Sequence, residues 1–450
     1  MKARRYQLRK DAVAIIQRGH PWIFREQLSS AAGVFSDGAW LRLVDGANQV
    51  IGHGIYEAEG AIAIRMLRSG SDAPDAAFIR SQLAAALRRR SALAARTDAI
   101  RLVHGESDGI PAIVVDRFGD TLVVASYSAG ADGLARYVAC VLASGSAALA
   151  RADTEPTAGA PRPPTPPTSQ PSFSNLPPTP PPSVPGLQTD GPTAPVDTAH
   201  AATPIDRAAR IAAIVGPARH VVLRPARRRR GPPVAPRVLR GTPPDIATVS
   251  EDGMPFAIDL AGGHKTGTYL DLRGLRAAIA ALPLAGKHVL NTFAYTGMLG
   301  RAAEAAGASE IVQVDQSERA LAFAAAHHVT DPARHTFITA DLFEWLPNHD
   351  GAYDVVIIDP PSMTSRKAQV PGVLAAYRKL YRSAARLVKP GGLVVAACCT
   401  SRVEREVFHK TVRAALGDRF TRERELPTEA DHPVSFPQAD YLKISLWRAQ

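Results

Sequence analysis

Acidic side chains recur at the ends of apolar runs in the C-terminal half of the chain, where they could bind a ligand. Asp315 follows one run, and a carboxylate there can accept both hydroxyl groups of a ribose. Asp341 follows the next run and could face the amino group of an adenine. Asp359 begins the sequence Asp359-Pro360-Pro361, whose prolines stiffen the loop that follows. These residues predict a nucleotide-like ligand, with Asp359 in a catalytic or base-reading role.

Two adjacent cysteines, Cys398 and Cys399, follow the last of these apolar runs. The thiolate form of cysteine is a nucleophile, so one of them is a candidate for covalent catalysis. The commoner fate of a cysteine is burial as an apolar thiol. Because side chains alternate along a strand, the two thiols should point in opposite directions. We therefore expect one functional and one structural cysteine.

The turn over residues 289–297 is a further ligand-binding candidate because it joins a predicted strand to a helix. It ends at Gly297, and glycine permits a tight turn and a close approach of the backbone to a ligand. The turn is neither a dinucleotide-binding glycine fingerprint nor a phosphate-binding loop, so an ordinary turn is the alternative. Asp315 lies 18 residues after Gly297, and it could also be the N-cap of the next helix.

The runs that precede these residues predict a parallel sheet. They are mostly continuous apolar runs, as expected for strands that are covered on both faces: His288–Phe293, Glu310–Asp315, Thr336–Ala340, Asp354–Asp359 and Leu393–Ala397. Helical periodicity separates them, and Pro390-Gly391-Gly392 ends the last helix before a strand. This alternation is typical of an α/β doubly wound sheet, which binds ligands at the carboxyl ends of its strands. The aspartates and cysteines would therefore share one cleft.

The N-terminal third of the chain has a different pattern. Short strand-like runs separated by turns predict a small β-rich module over residues 1–70. Residues 75–97 predict a helix, and residues 99–145 predict a mixed segment of strands and helix. Cys140 lies on an apolar stripe of the last helix, so we expect it in the core.

Residues 146–204 are predicted to be disordered, because fifteen prolines fall between residues 151 and 200 and no apolar periodicity accompanies them. The segment that follows is strongly basic. Residues 201–240 contain ten arginines and one acid, and Arg227–Arg230 is predicted to be an exposed loop. With a net charge of +11, these arginines indicate either binding of a phosphate backbone or a solubilising loop.

Other classes of protein are disfavoured by composition. Three cysteines cannot form a disulfide framework, and their spacing suits no tetrahedral metal site, so no metal is expected. No apolar run approaches the roughly 18–20 residues that a membrane span needs, so we expect no membrane association. The basic N-terminus is not followed by the apolar core of a secretory signal. A cytoplasmic location is therefore the expectation.

Several motifs, in one order, make the chain similar to a known family. They extend over nearly the whole chain outside the proline-rich segment: Arg18–Phe24, Asp108–Pro111, Val114–Asp120, His264–Arg273, Asn291–Gly297, Asp359–Ser362, Cys399, Ala430–Pro433 and Tyr441–Lys443. With them the chain resembles the bacterial large-subunit ribosomal RNA methyltransferase I family, which forms 5-methylcytosine in 23S ribosomal RNA. That family usually has Gln where this chain has His264. The proline-rich segment and Arg227–Arg230 also depart from its pattern.

The resemblance implies a domain organisation and a cofactor. A PUA-like RNA-binding domain is expected over residues 1–70, a central α+β domain over 71–260, and a class I S-adenosylmethionine methyltransferase domain over 261–450. The residues implied to surround S-adenosyl-L-methionine are Lys265, Thr266, Asn291, Phe293, Tyr295, Thr296, Gly297, Asp315 and Asp341.

The resemblance also implies that Cys399, rather than Cys398, is the nucleophile. Its thiolate would add to carbon 6 of a cytosine so that carbon 5 can attack a methyl group. We expect nearby positive charge or a helix N-terminus to lower the pKa of Cys399, and Asp359 to bind the N3/N4 edge of the base. The alternatives are methylation of a purine nitrogen without a cysteine, and a non-catalytic RNA-binding factor for ribosome assembly. The expected partner is 23S ribosomal RNA, naked or in a precursor particle.

Overall fold

The computed structural model describes residues 3–29, 35–144, 149, 212–216, 218–226, 234–364 and 366–450. The chain begins with a five-stranded sheet in the order β1-β3-β4-β5-β2. Its strands are β1 (Arg4–Gln7), β2 (Trp22–Phe24), β3 (Trp40–Val44), β4 (Val50–Tyr56) and β5 (Ile62–Ser69), with helix α1 (Lys10–Gln17) between the first two. The sheet and α1 share a small apolar core, including Ile16, Leu41 and Ile64. The predicted β-rich character of this region is confirmed.

A second five-stranded sheet follows, in the order β10-β9-β8-β7-β6. Its elements, with the helices that pack beside them, are α2 (Ala76–Arg89), α3 (Ser91–Ala94), β6 (Ala99–His104), β7 (Ile113–Phe118), β8 (Thr121–Ser126), α4 (Asp132–Ala143), β9 (His220–Arg224) and β10 (Arg237–Arg240). A hairpin of β11 (Ile246–Glu251) and β12 (Met254–Asp259) then leads into the C-terminal part of the chain.

The C-terminal part contains a seven-stranded sheet in the order β15-β14-β13-β16-β17-β19-β18. Its strands are β13 (His288–Thr292), β14 (Glu310–Asp315), β15 (His335–Thr339), β16 (Tyr353–Ile358), β17 (Val388–Cys398), β18 (Phe420–Leu426) and β19 (Lys443–Ala449). The first five strands in this order are parallel, which confirms the predicted doubly wound α/β sheet. Strand β19 pairs antiparallel with both neighbours, and β18 forms that edge of the sheet.

Six helices pack against this sheet, and apolar side chains on both faces of the sheet contact them. They are α5 (Arg273–Ala280), α6 (Met298–Ala305), α7 (Glu318–His327), α8 (Leu342–Asn348), α9 (Val370–Leu387) and α10 (Arg405–Leu416). Along β16, Val355 and Ile357 pack into one core with α5 and α6, whereas Val356 and Ile358 pack into another with α9 and α10. Alternation along the strand thus explains why β16 is apolar at four consecutive positions, Val355–Ile358.

The predicted helix over residues 75–97 is interrupted at Arg90. The Arg90 side chain is fully buried, and its guanidinium donates to both carboxylate oxygens of Asp108 at 2.8 and 2.6 Å. It also donates to the carbonyl oxygens of Ala86, Arg101 and Asp431, each at 3.0 Å. A buried guanidinium needs such acceptors, and the break between the two helices lies at the residue that supplies it.

The expectation that Cys140 lies in the core is wrong, because it is exposed while Val138, Ala139 and Val141 carry the buried face of α4. Apart from residue 149, the predicted disordered segment 146–204 lies outside the described residues, and so does Arg227–Arg230. No helix among the described residues is long and apolar enough to cross a bilayer.

Candidate active site

A cavity of about 490 Å³ lies at the carboxyl ends of the parallel strands. This volume is in the usual range for sites that bind small ligands. Its lining comes from the loop before α5 and from the segments that follow β13, β14, β15, β16 and β17. Among the lining residues are His264, Lys265, Tyr269, Asp271, Phe293, Tyr295, Thr296, Asp315, Asp341, Phe343, Asp359, Cys399 and Tyr441. The predicted cleft at the carboxyl edge of the sheet is therefore present.

The turn after β13 has a strained backbone. Phe293 and Tyr295 have positive φ angles of 55° and 49°, which residues other than glycine rarely adopt. Gly297 has φ 75°, and a Cβ atom there would lie 2.7 Å from the Cβ of Ala324. Such strain persists only where surrounding contacts hold it, and it is common at ligand-binding sites. The turn is thus shaped to present its residues to the cavity.

Asp315 provides one of the contacts that hold this turn. Its carboxylate accepts the backbone N–H of Tyr295 at 2.9 Å and the backbone N–H of Ser317 at 2.8 Å. Helix α7 is capped by the Ser317 side chain, so the alternative that Asp315 is the N-cap is wrong. A carboxylate oxygen has room for further donors, so Asp315 can still accept hydroxyl groups from a ligand in the cavity.

Asp341 is exposed and caps α8, because it accepts the backbone N–H of Phe343 at 2.8 Å. This arrangement directs Asp341 and the half-buried Phe343 to the same part of the cavity. The Phe343 ring also packs edge-on against the ring of Phe293, with 5.7 Å between centroids. Two apolar rings beside two carboxylates can hold a flat heterocycle joined to a ribose.

The loop before α5 covers the opposite side of the cavity. Lys265 has a φ of 53°, and its ammonium group lies 4.6 Å from the centre of the Tyr269 ring. Arg224 holds the backbone of this loop through the carbonyl oxygens of Gly263 and Lys265. The imidazole of His264 stacks on Tyr295 at 5.2 Å. These contacts bring a cation and two aromatic rings to the cavity wall.

Asp359 and Cys399 lie together in the cavity because β16 and β17 are adjacent and parallel. Burial raises the pKa of Asp359 to about 7, with Asp271 adding to the rise and Lys265 opposing it. Burial and the charge of Asp359 raise the pKa of Cys399 to about 12, although Lys265 acts in the opposite direction. The expectation that its surroundings lower the pKa of Cys399 is therefore wrong.

The two cysteines point in different directions, as strand alternation predicts. Cys398 is fully buried in the apolar core under α9 and α10. Cys399 lines the cavity, and its thiol donates to the carbonyl oxygen of Pro360 at 3.5 Å. Only Cys399 is placed to reach a ligand.

Three residues predicted to contact the cofactor do not line the cavity. Thr266 is fully buried, and its hydroxyl donates to Asp116 in β7. Asn291 is fully buried within β13 and donates to Gln313 at 3.2 Å. Gly297 packs against Ala324 behind the turn. These three residues therefore lie behind the residues that line the cavity, and their contact with the cofactor stays a prediction.

Several polar residues that line the cavity received no role from the sequence. Tyr269, Asp271 and Tyr441 all face the cavity, and the Tyr441 hydroxyl donates to Asp271 at 2.6 Å. Tyr269 and Asp271 occur within the motif His264–Arg273, and Tyr441 begins the motif Tyr441–Lys443. The motifs could have indicated these residues, but only the fold brings the two segments together. No group of three or more His, Cys, Asp or Glu among the described residues is arranged to hold a metal.

Two family models match the chain. A model described as S-adenosylmethionine-dependent methyltransferase matches residues 202–448, and one described as a PUA-like domain matches residues 7–69. The first covers more than half of the chain and includes every part of the cavity.

Curated relatives match over almost their full length. The ribosomal RNA large subunit methyltransferase of Deinococcus radiodurans is 29% identical over 456 residues, covering 98% of this chain and 96% of the relative. The ribosomal RNA large subunit methyltransferase I of Klebsiella pneumoniae is 28% identical over 452 residues, covering 97% of this chain and 96% of the relative. The resemblance to the large subunit methyltransferase I proteins is confirmed.

Solved structures share the whole fold. A protein of Streptococcus mutans that is provisionally assigned as a SAM-dependent methyltransferase is 18% identical, with a TM-score of 0.71. It aligns with 99% of this chain and 100% of its own. A second structure, of a provisionally assigned methyltransferase complexed with SAH, has a TM-score of 0.72 at 18% identity and the same coverage. The family match, the cavity and the fold agree: the chain belongs to the S-adenosylmethionine-dependent methyltransferases and carries a PUA-like domain at residues 7–69.

Proposed function

We propose that the protein methylates carbon 5 of a cytosine in 23S ribosomal RNA through a covalent adduct with Cys399. The observation that carries this proposal is the position of Cys399 beside Asp359 in the cavity, at the ends of adjacent strands. A methyltransferase that acts on an exocyclic or ring nitrogen needs no thiol there. The choice of RNA rests on the names of the curated relatives and on the PUA-like domain.

The cavity suits S-adenosylmethionine, which supplies an electrophilic methyl group when it is bound. Asp315 would accept the ribose hydroxyls, because its carboxylate faces the cavity from the end of β14. Phe293, Phe343 and Asp341 would enclose the adenine, and Asp341 would accept its amino group. Lys265, Tyr295 and Thr296 would form the remaining wall. The buried Thr266, Asn291 and Gly297 would keep this wall in place.

Cys399 would act as the nucleophile. Carbon 5 of cytosine is a weak nucleophile until a thiolate adds to carbon 6 and pushes electron density onto it. As the sulfur–carbon bond forms, the thiol proton passes to Asp359, and Asp359 in turn protonates N3 of the ring. A pKa of about 7 suits Asp359 to take and give a proton near neutral pH. Carbon 5 then attacks the methyl group, and its own proton must leave afterwards.

The RNA must present the cytosine unpaired or flipped out, because the reacting atoms lie inside a cavity. The PUA-like domain would hold the RNA backbone nearby, which positions the target more than it selects sequence. The substrate would be naked RNA or a precursor particle. A ribosomal RNA substrate further implies an enzyme that works in the cytoplasm.

The test is methyl transfer from labelled S-adenosylmethionine to unmethylated 23S ribosomal RNA, followed by nucleoside analysis. We expect 5-methylcytosine with the wild-type protein and none with Cys399→Ala, while Cys398→Ala keeps the product. Label on a purine, or label that survives Cys399→Ala, would overturn the cytosine mechanism. Tight binding of cofactor without any RNA labelling would overturn the RNA substrate.

A further inference from the structure

Asp271 and Tyr441 form a hydrogen-bonded pair in the wall of the cavity. Asp271 lies just before α5, and Tyr441 lies just before β19, so the fold joins segments that are 170 residues apart. The Tyr441 hydroxyl donates to Oδ2 of Asp271 at 2.6 Å. Both side chains line the cavity that holds Asp359 and Cys399. The cofactor contacts proposed above use neither of them.

The pair belongs to the Cys399 end of the cavity. The charge of Asp271 contributes to the raised pKa of both Asp359 and Cys399. The ionised form of Asp271 is favoured: burial disfavours its charge, but His432, Lys265, the Tyr441 hydroxyl and Arg101 outweigh burial and lower its pKa. A hydrogen bond to Tyr441 also leaves Oδ1 of the carboxylate free to accept a proton.

The proposed reaction still needs a base to remove the proton from carbon 5. At that stage Asp359 interacts with the protonated N3 of the ring, and Cys399 is bonded to carbon 6. Burial raises the pKa of Tyr269 and Tyr441, so both phenols stay protonated. Asp315 and Asp341 are assigned above to the ribose and the adenine of the cofactor, and each also accepts a backbone N–H. Among the lining carboxylates that the structure describes, Asp271 is left for this step.

We propose that Asp271, positioned by Tyr441, is the base that takes the carbon-5 proton from the methylated adduct; this inference rests on the proposed function. The carbon–hydrogen bond breaks and its proton moves to Oδ1 of Asp271. The electron pair forms the carbon 5–carbon 6 double bond, and the carbon 6–sulfur bond breaks. Its electrons return to the sulfur of Cys399, the N3 proton returns to that sulfur through Asp359, and Asp271 releases its proton to water.

The experiment follows a single turnover on 23S RNA that carries tritium at carbon 5 of its cytosines. Methyl transfer, tritium release and covalent protein–RNA adduct are measured together. We expect Asp271→Asn to transfer the methyl group within a few-fold of the wild-type rate. Tritium release should fall by about 10²–10⁴-fold, the usual contribution of a general base, and the methylated adduct should accumulate. Asp350→Asn, at an exposed aspartate, is the matched control and should behave like wild type.

Two further variants separate a base from a structural role. Asp271→Ala leaves a small space, so added formate should restore tritium release in proportion to its concentration. Tyr441→Phe should slow tritium release about tenfold while methyl transfer is retained, because a single hydrogen bond to the carboxylate is lost. Binding of S-adenosylhomocysteine, measured by calorimetry, should be unchanged in each variant and reports that the protein is folded.

The proposal is overturned if Asp271→Asn releases tritium as fast as wild type, or if its only defect is weaker binding of the cofactor. The second result would make Asp271 a cofactor contact. Failure of the proposed function is a separate outcome, because the wild-type protein would then form no 5-methylcytosine and no adduct.

Discussion

The thiol of Cys399 lies 3.5 Å from the carbonyl oxygen of Pro360, to which it donates a hydrogen bond. This contact joins the residue after β17 to the loop that Asp359 begins after β16. The parallel register of the two strands brings these positions together, since Ile358 pairs with Ala396. The Cys399 thiol and the Asp359 carboxyl group therefore line the same cavity at the ends of adjacent strands.

Trapping the adduct provides the first prediction. Fluorine at carbon 5 cannot leave as a proton does, so RNA containing 5-fluorocytidine should remain covalently attached to Cys399 after methylation. We expect a denaturation-stable protein–RNA band with wild type and with Cys398→Ala, and none with Cys399→Ala. Equal trapping by Cys399→Ala would show that another nucleophile reacts.

The pKa values predict how the rate depends on pH. Below about pH 7 Asp359 and Cys399 both hold a proton, so Asp359 cannot take the proton of the thiol. As pH rises through about 7, Asp359 becomes ionised and can take that proton, while Cys399 stays protonated until about pH 12. The kcat/KM for RNA should therefore rise about tenfold per pH unit below 7 and level off above it.

In Asp359→Asn the rise of kcat/KM below pH 7 should disappear. The constant kcat/KM above pH 7 should fall by about 10²-fold or more, because asparagine can neither take the thiol proton nor give a proton to N3. The pH profile is measured with saturating cofactor and limiting RNA. A wild-type rate that falls as pH rises through 7 would contradict the assigned direction of proton transfer.

Asp315 should control affinity for the cofactor. Asp315→Asn removes the charge that accepts the ribose hydroxyls, and hydrogen bonds to charged groups contribute about 1.5–3 kcal/mol. We expect affinity for S-adenosylhomocysteine to fall about 10- to 100-fold in calorimetric titration. Glu318→Gln, at an exposed position in the first turn of α7, is the control and should bind normally. Unchanged affinity in Asp315→Asn would place the ribose elsewhere.

The buried pair of Arg90 and Asp108 should contribute strongly to stability. Neither side chain is exposed, so Asp108→Ala would leave a guanidinium charge buried without its carboxylate. We expect the free energy of unfolding to fall by about 3–5 kcal/mol, measured by urea denaturation. Asp252→Ala breaks the exposed pair with Arg96 and should cost about 0–1 kcal/mol. Equal losses in the two variants would contradict the role given to burial.

The five parallel strands could be predicted because each is built around a short apolar run that is followed by a polar residue or a turn. The two antiparallel strands at the edge were harder to recognise. β18 is largely exposed and polar, and β19 carries a buried Lys443 whose ammonium donates to the carbonyl oxygens of Thr400 and Tyr441 at 3.2 Å. A lysine with such partners resembles a surface residue in the sequence.

The cofactor residues were predicted as one set, but the fold divides them into two. Asp315, Phe293 and Tyr295 line the cavity, whereas Asn291 is buried inside β13. A motif identifies a stretch of chain, and it does not state which side of the backbone each residue occupies. The same limit explains why Cys140 was wrongly expected in the core. It is exposed, and its neighbours on α4 form the buried face of the helix.

By itself the sequence determined the alternation of strands and helices, the carboxyl-end positions of Asp315, Asp359 and Cys399, and the family. These features depend on local periodicity and on residue types at fixed spacing, which the chain carries directly. Only the tertiary structure decided the raised pKa values of Asp359 and Cys399 and the pairing of Asp271 with Tyr441. The pKa values and this pairing depend on burial and on contacts between segments that are far apart in the chain. Packing, rather than separation along the sequence, determines which of these segments meet.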